Sequence, residues 1–211
     1  MSFFLLPIGV LNGFGGLAGA AWLAFLGEWK LVSLGILAVI IAPGTINIAF
    51  LPVNIIVGLP GAALLAKGYT VLAFPFVLLN LFYMHAVITV WCVATLIVAT
   101  HGASTEDLWP RALLAYGAAI APLQYFVALD ERNAGGSGPW QWFTLLVAQV
   151  AYIAMGLLIL LGGWSVVDAS IVFAALMLVA VIVTTFLSMC EAANLAAAAA
   201  RLDGLLKKPQ I

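Results

Sequence analysis

Apolar residues in this chain come in long runs rather than in alternation. The runs cover 3–26, 31–66, 70–100, 112–129, 143–161 and 169–190, and short polar clusters separate them. A hydrocarbon layer of about 30 Å takes about 20 helical residues, so five of these runs read as single membrane helices. The ten-residue alternating strands of an outer-membrane barrel are missing from the pattern. The expected fold is therefore an all-α polytopic transmembrane bundle of about six membrane segments.

Run 31–66 does not fit that scheme. It is too long for one crossing and slightly short of two crossings with a turn. Pro43, Pro52 and Pro60 interrupt it, and Asn47 and Asn54 lie inside it. Each proline removes a backbone donor and obstructs the carbonyl one turn earlier. The segment is expected to be Pro-broken and discontinuous, or re-entrant.

Trp29, Trp109, Trp140, Trp142 and Trp164 fall in or beside the connections, where an amphipathic ring favours the headgroup layer. The linker 130–139 (DERNAGGSGP) is flexible by composition and too short to separate domains. Residues 1–211 thus read as one integral membrane domain. Its Ala-rich end, 191–211, carries Arg201, Lys207 and Lys208 and is expected to form a cytoplasmic or interfacial helical extension. The first run has no Lys or Arg before it and no cleavage pattern, so it reads as the first span.

Composition agrees with the pattern. Hydrophobic residues make up 66% of the chain and charged residues 7%, with a mean hydropathy of +1.23. Soluble domains carry roughly 25% charged residues. The lipid bilayer is the implied partner, and a multi-pass location in an inner or plasma membrane follows. A net charge of -1 without a basic run before the tail excludes nucleic acid.

Lys and Arg orient the bundle, because cytoplasmic loops hold the excess. If 31–66 crosses once, Lys67, Arg132, Arg201, Lys207 and Lys208 face Lys30 and Arg111 across the membrane. If it returns to its starting side, Lys30 joins the larger group and only Arg111 opposes it. The second arrangement has the cleaner asymmetry and places the uncharged N-terminus outside. It is preferred on those grounds, and both arrangements put the C-terminus in the cytoplasm.

Buried polar side chains mark where chemistry could occur. Broken helices line solute sites in transporters because freed backbone groups need a polar cavity. Pro43, Gly44, Asn47 and Asn54 are therefore expected along a solute path, although the prolines could equally kink a helix whose amides bond to neighbours. His85 lies at the centre of its run, with Thr89 and Cys92 on the same helical face. An intramembrane His suggests a solute contact or proton relay, and a neutral His bonded to an adjacent helix is the alternative. Gln149 with Tyr152, and Gln124 with Tyr125, are interhelical hydrogen-bond pairs, the first of them also near the expected path. Glu191 stands where the last run leaves the membrane.

Gly9 with Gly13, and Gly15 with Gly19, have GxxxG spacing. They would let another backbone approach, either within the bundle or in a homo-oligomer or partner membrane protein. Cys92 and Cys190 lie at different depths, which argues against a disulfide. No motif for a metal, a cofactor or catalysis is present: GxSxG, HExxH, a Walker loop and paired intramembrane acids are all missing. Ser104, Glu106, Asp107 and Pro110 read as a helix start. The function that follows is non-enzymatic movement of a small neutral or weakly polar solute, or else a non-catalytic subunit or scaffold that packs with partner membrane proteins.

Overall fold

The computed structural model describes residues 2–104, 106–133 and 139–206. It contains α1 (Ser2–Phe25), α2 (Trp29–Val53), a π turn (Asn54–Gly58), α3 (Leu59–Ala66), α4 (Thr70–Thr100), α5 (Leu108–Asn133), α6 (Pro139–Leu160) and α7 (Val166–Leu206). No strand occurs among the described residues. Gly44–Ala66, Thr70–Thr100, Phe143–Leu160 and Val166–Glu191 are each long and apolar enough to cross a membrane. These are the features of a helical membrane protein.

The oversized segment neither breaks nor turns back. α2, the π turn and α3 form one continuous rod from Trp29 to Ala66, with right-handed helical dihedrals at both junctions. The expectation of a discontinuous or re-entrant segment is corrected accordingly. The reason lies in how the prolines are accommodated. Leu59 N–H bonds to Asn54 O, five residues back, so the helix widens by one residue between Pro52 and Pro60. The wider turn lets the chain absorb two missing donors and remain helical.

Glycines set the turns at two ends. Gly27 (φ 83°) and Gly68 (φ 78°) are left-handed. At Gly68, the Gly68 N–H bonds to Leu65 O and the Tyr69 N–H to Leu64 O, a Schellman closure of α3. The same pair of bonds, Gly27 to Ala24 and Glu28 to Leu23, closes α1. α5 and α7 begin with serine caps. Ser104 Oγ receives the Asp107 N–H at 3.4 Å and donates to the Asp107 carboxylate at 2.8 Å. Ser165 and Asp168 do the same at 3.1 and 2.6 Å.

α1 packs on α5 through bare backbone. A Cβ on Gly16 would lie 2.8 Å from Gly117 Cα, and one on Gly19 would lie 2.7 Å from both Leu114 N and Pro110 O. Gly15 meets the Tyr116 ring at 4.0 Å. Of the two uses foreseen for the glycine face, Gly15 and Gly19 serve the intramolecular one. The side-chain surroundings of Gly9 and Gly13 lie outside the described residues. The main core joins Ala42, Ile46 and Phe50 of α2 to Cys92, Leu96, Ala119, Ile120, Ala148, Met155, Phe173 and Met177.

Successive rods run in opposite directions. Gly16 meets Gly117, the Tyr83 hydroxyl donates to Ala49 O at 3.1 Å, and the Ser170 hydroxyl reaches Met155 Sδ at 3.8 Å. The α1–α2, α4–α5 and α6–α7 connections therefore gather at one end. Both α1's start and α7's end belong to the other. Because the 29–66 rod does not return, Lys30 and Lys67 lie at its opposite ends rather than side by side, as the preferred arrangement had them. Past Glu191, α7 stays helical to Leu206.

Candidate functional site

The polar residues expected along one path do not converge. His85 is buried at 3% exposure, with Nδ1 2.7 Å from Leu81 O and Nε2 3.2 Å from the Thr144 hydroxyl. This geometry assigns the ring proton to Nδ1, which donates to the carbonyl, and lets Nε2 accept from Thr144. Both nitrogens are thereby engaged. Thr89 donates to His85 O at 2.7 Å, so it serves its own helix. His85 takes the form of the bonded, interhelical histidine.

Asn54 sits on the π turn and is exposed, in the middle of the apolar span Gly44–Ala66. Gly44 is exposed, and nothing lies within 4 Å of a Cβ placed there. The side chains of Pro43 and Asn47 lie outside the described residues, as does that of Tyr125. Gln149 is buried at 6% exposure on α6. Tyr152 is buried as well, its ring tilted against Tyr116 at 5.6 Å and edge-on to Phe173 at 6.3 Å. Among the described residues its hydroxyl has no partner in hydrogen-bond geometry.

Two larger clefts are almost wholly apolar. One of about 320 Å³ lies between α1, α5 and α6 against Trp109, Tyr116 and Tyr152. Another of about 270 Å³ separates α2 from α4 and α5 beside Gly35 and Trp91. A third, of about 170 Å³, differs in chemistry. It lies among the π turn, α3, α4 and α7, and Asn80 and Ser188 line it together with Gly58 and Gly61.

Asn80 is the residue that sequence reasoning passed over. Among the described residues, its Oδ1 is buried without a partner and its Nδ2 has only Met84 Sδ, at 4.0 Å. A Cβ on Gly58 would lie 3.4 Å from Asn54 Oδ1 and 3.6 Å from Asn80 Oδ1. Two amides from separate segments thus border the same turn. The available signal was an amide within an uncharged run, without the ring that drew attention to His85.

At the end where α1 meets α2, Arg111 is buried at 8% exposure. Its Nε donates to Asp107 at 2.7 Å, one Nη donates to His101 O at 3.2 Å, and the other lies 3.7 Å from Glu28. Burial raises the Asp107 pKa, but hydrogen bonds from Ser104 and Arg111, together with the Arg111 charge, bring it below its ordinary value. The cluster ties the α1–α2 turn to the α4–α5 connection. Among the described residues, no group of three or more His, Cys, Asp or Glu could hold a metal ion.

Comparison with known proteins finds no matching family model, no matching curated protein and no matching solved structure. The class of this chain, a helical membrane protein, therefore rests on its own helices and composition.

Proposed function

We propose that this chain is a non-catalytic, multi-pass membrane subunit that holds a partner transmembrane helix against its α2–α3 face. The observation that carries the reading is Asn54, an exposed amide in the middle of an apolar span. An amide facing hydrocarbon is costly, and a hydroxyl or amide on an adjacent helix satisfies it. The partner is thus a membrane helix bearing such a group at mid-bilayer depth.

The length of the exposed apolar strip adds support. Leu34, Ile40, Ile48, Ile55 and Leu59 are all more than half exposed. From Leu34 to Leu59 the rod rises about 38 Å at about 1.5 Å per residue. Fitting that length into about 30 Å requires a tilt near the top of the usual range of about 0–40°. A covering helix lowers that demand.

The solute-path reading draws less support. It asks for Asn47, Asn54 and His85 around one cavity, whereas His85 is bonded on both nitrogens and Asn54 faces outward. The Lys67, Arg132 and Arg201 end of the bundle faces the cytoplasm by the distribution of basic residues.

The test is photo-crosslinking in native membranes from benzoylphenylalanine at Ile55, with the exposed Ile182 of α7 as control. A discrete protein adduct is expected at Ile55 only, and Asn54→Leu weakens it about tenfold, as loss of a roughly 1.4 kcal/mol interhelical bond would. Lipid adducts alone at Ile55 would count against the reading. Flux of a neutral solute in vesicles that Asn54→Leu abolishes would restore the transport reading.

A further inference from the structure

The crevice beside the π turn has the features of a ligand site, and its chemistry is independent of the partner helix proposed above. Asn80 lies ten residues into α4, about 15 Å along its axis, so whatever reaches it comes through the bilayer. Val57, Phe76 and Leu81 give the crevice apolar walls. Two polar groups face it. One is the unpartnered Asn80 Oδ1. The other is Ser188: Ser170, Thr184 and Thr185 each donate to a carbonyl of α7, while Ser188 makes no hydrogen bond among the described residues.

An acceptor and a free hydroxyl on one small cavity suit a single group that both donates and accepts. A hydroxyl does so, and it serves equally if the oxygen and nitrogen of the Asn80 amide are exchanged. The volume then decides between water and a larger molecule. A buried water needs two to four polar partners, and this crevice offers enough for about one. An apolar cavity of about 150 Å³ takes a benzene ring, so about 170 Å³ accommodates a ring as well as its hydroxyl. Gly58 keeps the space open, since any side chain larger than a methyl there would run into the Asn54 and Asn80 amides.

We infer that this crevice binds the hydroxyl-bearing ring of a membrane-soluble alcohol or phenol. The hydroxyl donates to Asn80 Oδ1 and accepts from Ser188, the ring packs on Phe76, and any apolar tail extends into the bilayer.

The full chain in phosphatidylcholine nanodiscs is photolabelled with a diazirine-bearing benzyl alcohol, in competition with para-propylphenol or propylbenzene. Label is expected on the peptide holding Phe76 and Leu81, and propylphenol displaces it about tenfold more effectively than propylbenzene, the preference one satisfied buried hydrogen bond confers. Asn80→Leu removes that preference, and Gly58→Leu removes labelling of the peptide. Ser188→Ala, a smaller change, reduces the preference and serves if the bulkier variants do not fold. Equal displacement by the two competitors, a preference that survives Asn80→Leu, or no label in the crevice, as water alone would give, overturns the inference.

Discussion

Single residues in this protein are decided by what surrounds them rather than by type. Asn54 and Asn80 are both amides in uncharged runs, yet one faces outward from a π turn and the other borders a crevice with a bare oxygen. Nothing local distinguishes them, because the difference arises from α4 and α7 passing beside the turn. Asp107 illustrates the reverse case, since its cap was legible from Ser104 three residues earlier. Its pKa is lower in the fold than in the unfolded chain, so its contribution is fully present above the ordinary carboxylate range. That contribution is lost as pH falls through the lowered value. Thermal unfolding in detergent should therefore show stability falling as pH drops below about 4, and Asp107→Asn should flatten that part of the profile.

Among the elements, the rod Trp29–Ala66 and the α1–α5 pair carry the clearest lessons. Prolines inside an apolar run suggested a break, and instead the chain stays helical, with a π turn between Pro52 and Pro60. Sequence marks where donors are missing, but not whether the helix stops or widens, because that depends on the rod having α5 and then α4 to lie against. The glycines of α1 were visible as a small-residue face, but their partner was not: Gly117 lies within AYGAA, a stretch with no GxxxG mark of its own. Gly117→Leu should separate α1 from α5 at a cost of about 1–3 kcal/mol, as overpacking does. Gly44→Ala, with open space around its Cβ, should unfold like the parent protein in the same denaturant titration.

At the scale of the whole molecule, successive rods alternate in direction, so Glu28, Asp107 and Arg111 meet at one end. Lys67 belongs to the opposite end. A membrane-impermeant maleimide should label Glu106→Cys from outside intact cells and reach Lys67→Cys only after permeabilisation, in a chain carrying Cys190→Ser. Labelling of both from one side would remove the proposed orientation.

The sequence by itself determined that the chain is helical with runs apolar enough to cross a membrane, roughly where its long helices lie, and the cap at Ser104. Those features follow from hydropathy, missing donors and short-range hydrogen bonds, all written over a few adjacent residues. Only the tertiary structure decided which faces are inward, that the 31–66 run continues as one rod, and that His85 meets Thr144 while Asn80 borders a crevice. The physical reason is the composition. In a chain this apolar nearly every helical face is hydrophobic, so the pattern carries little information about orientation. Packing is set by shape, above all where backbones touch at Gly16 and Gly117, and by the few hydrogen bonds that cross between helices.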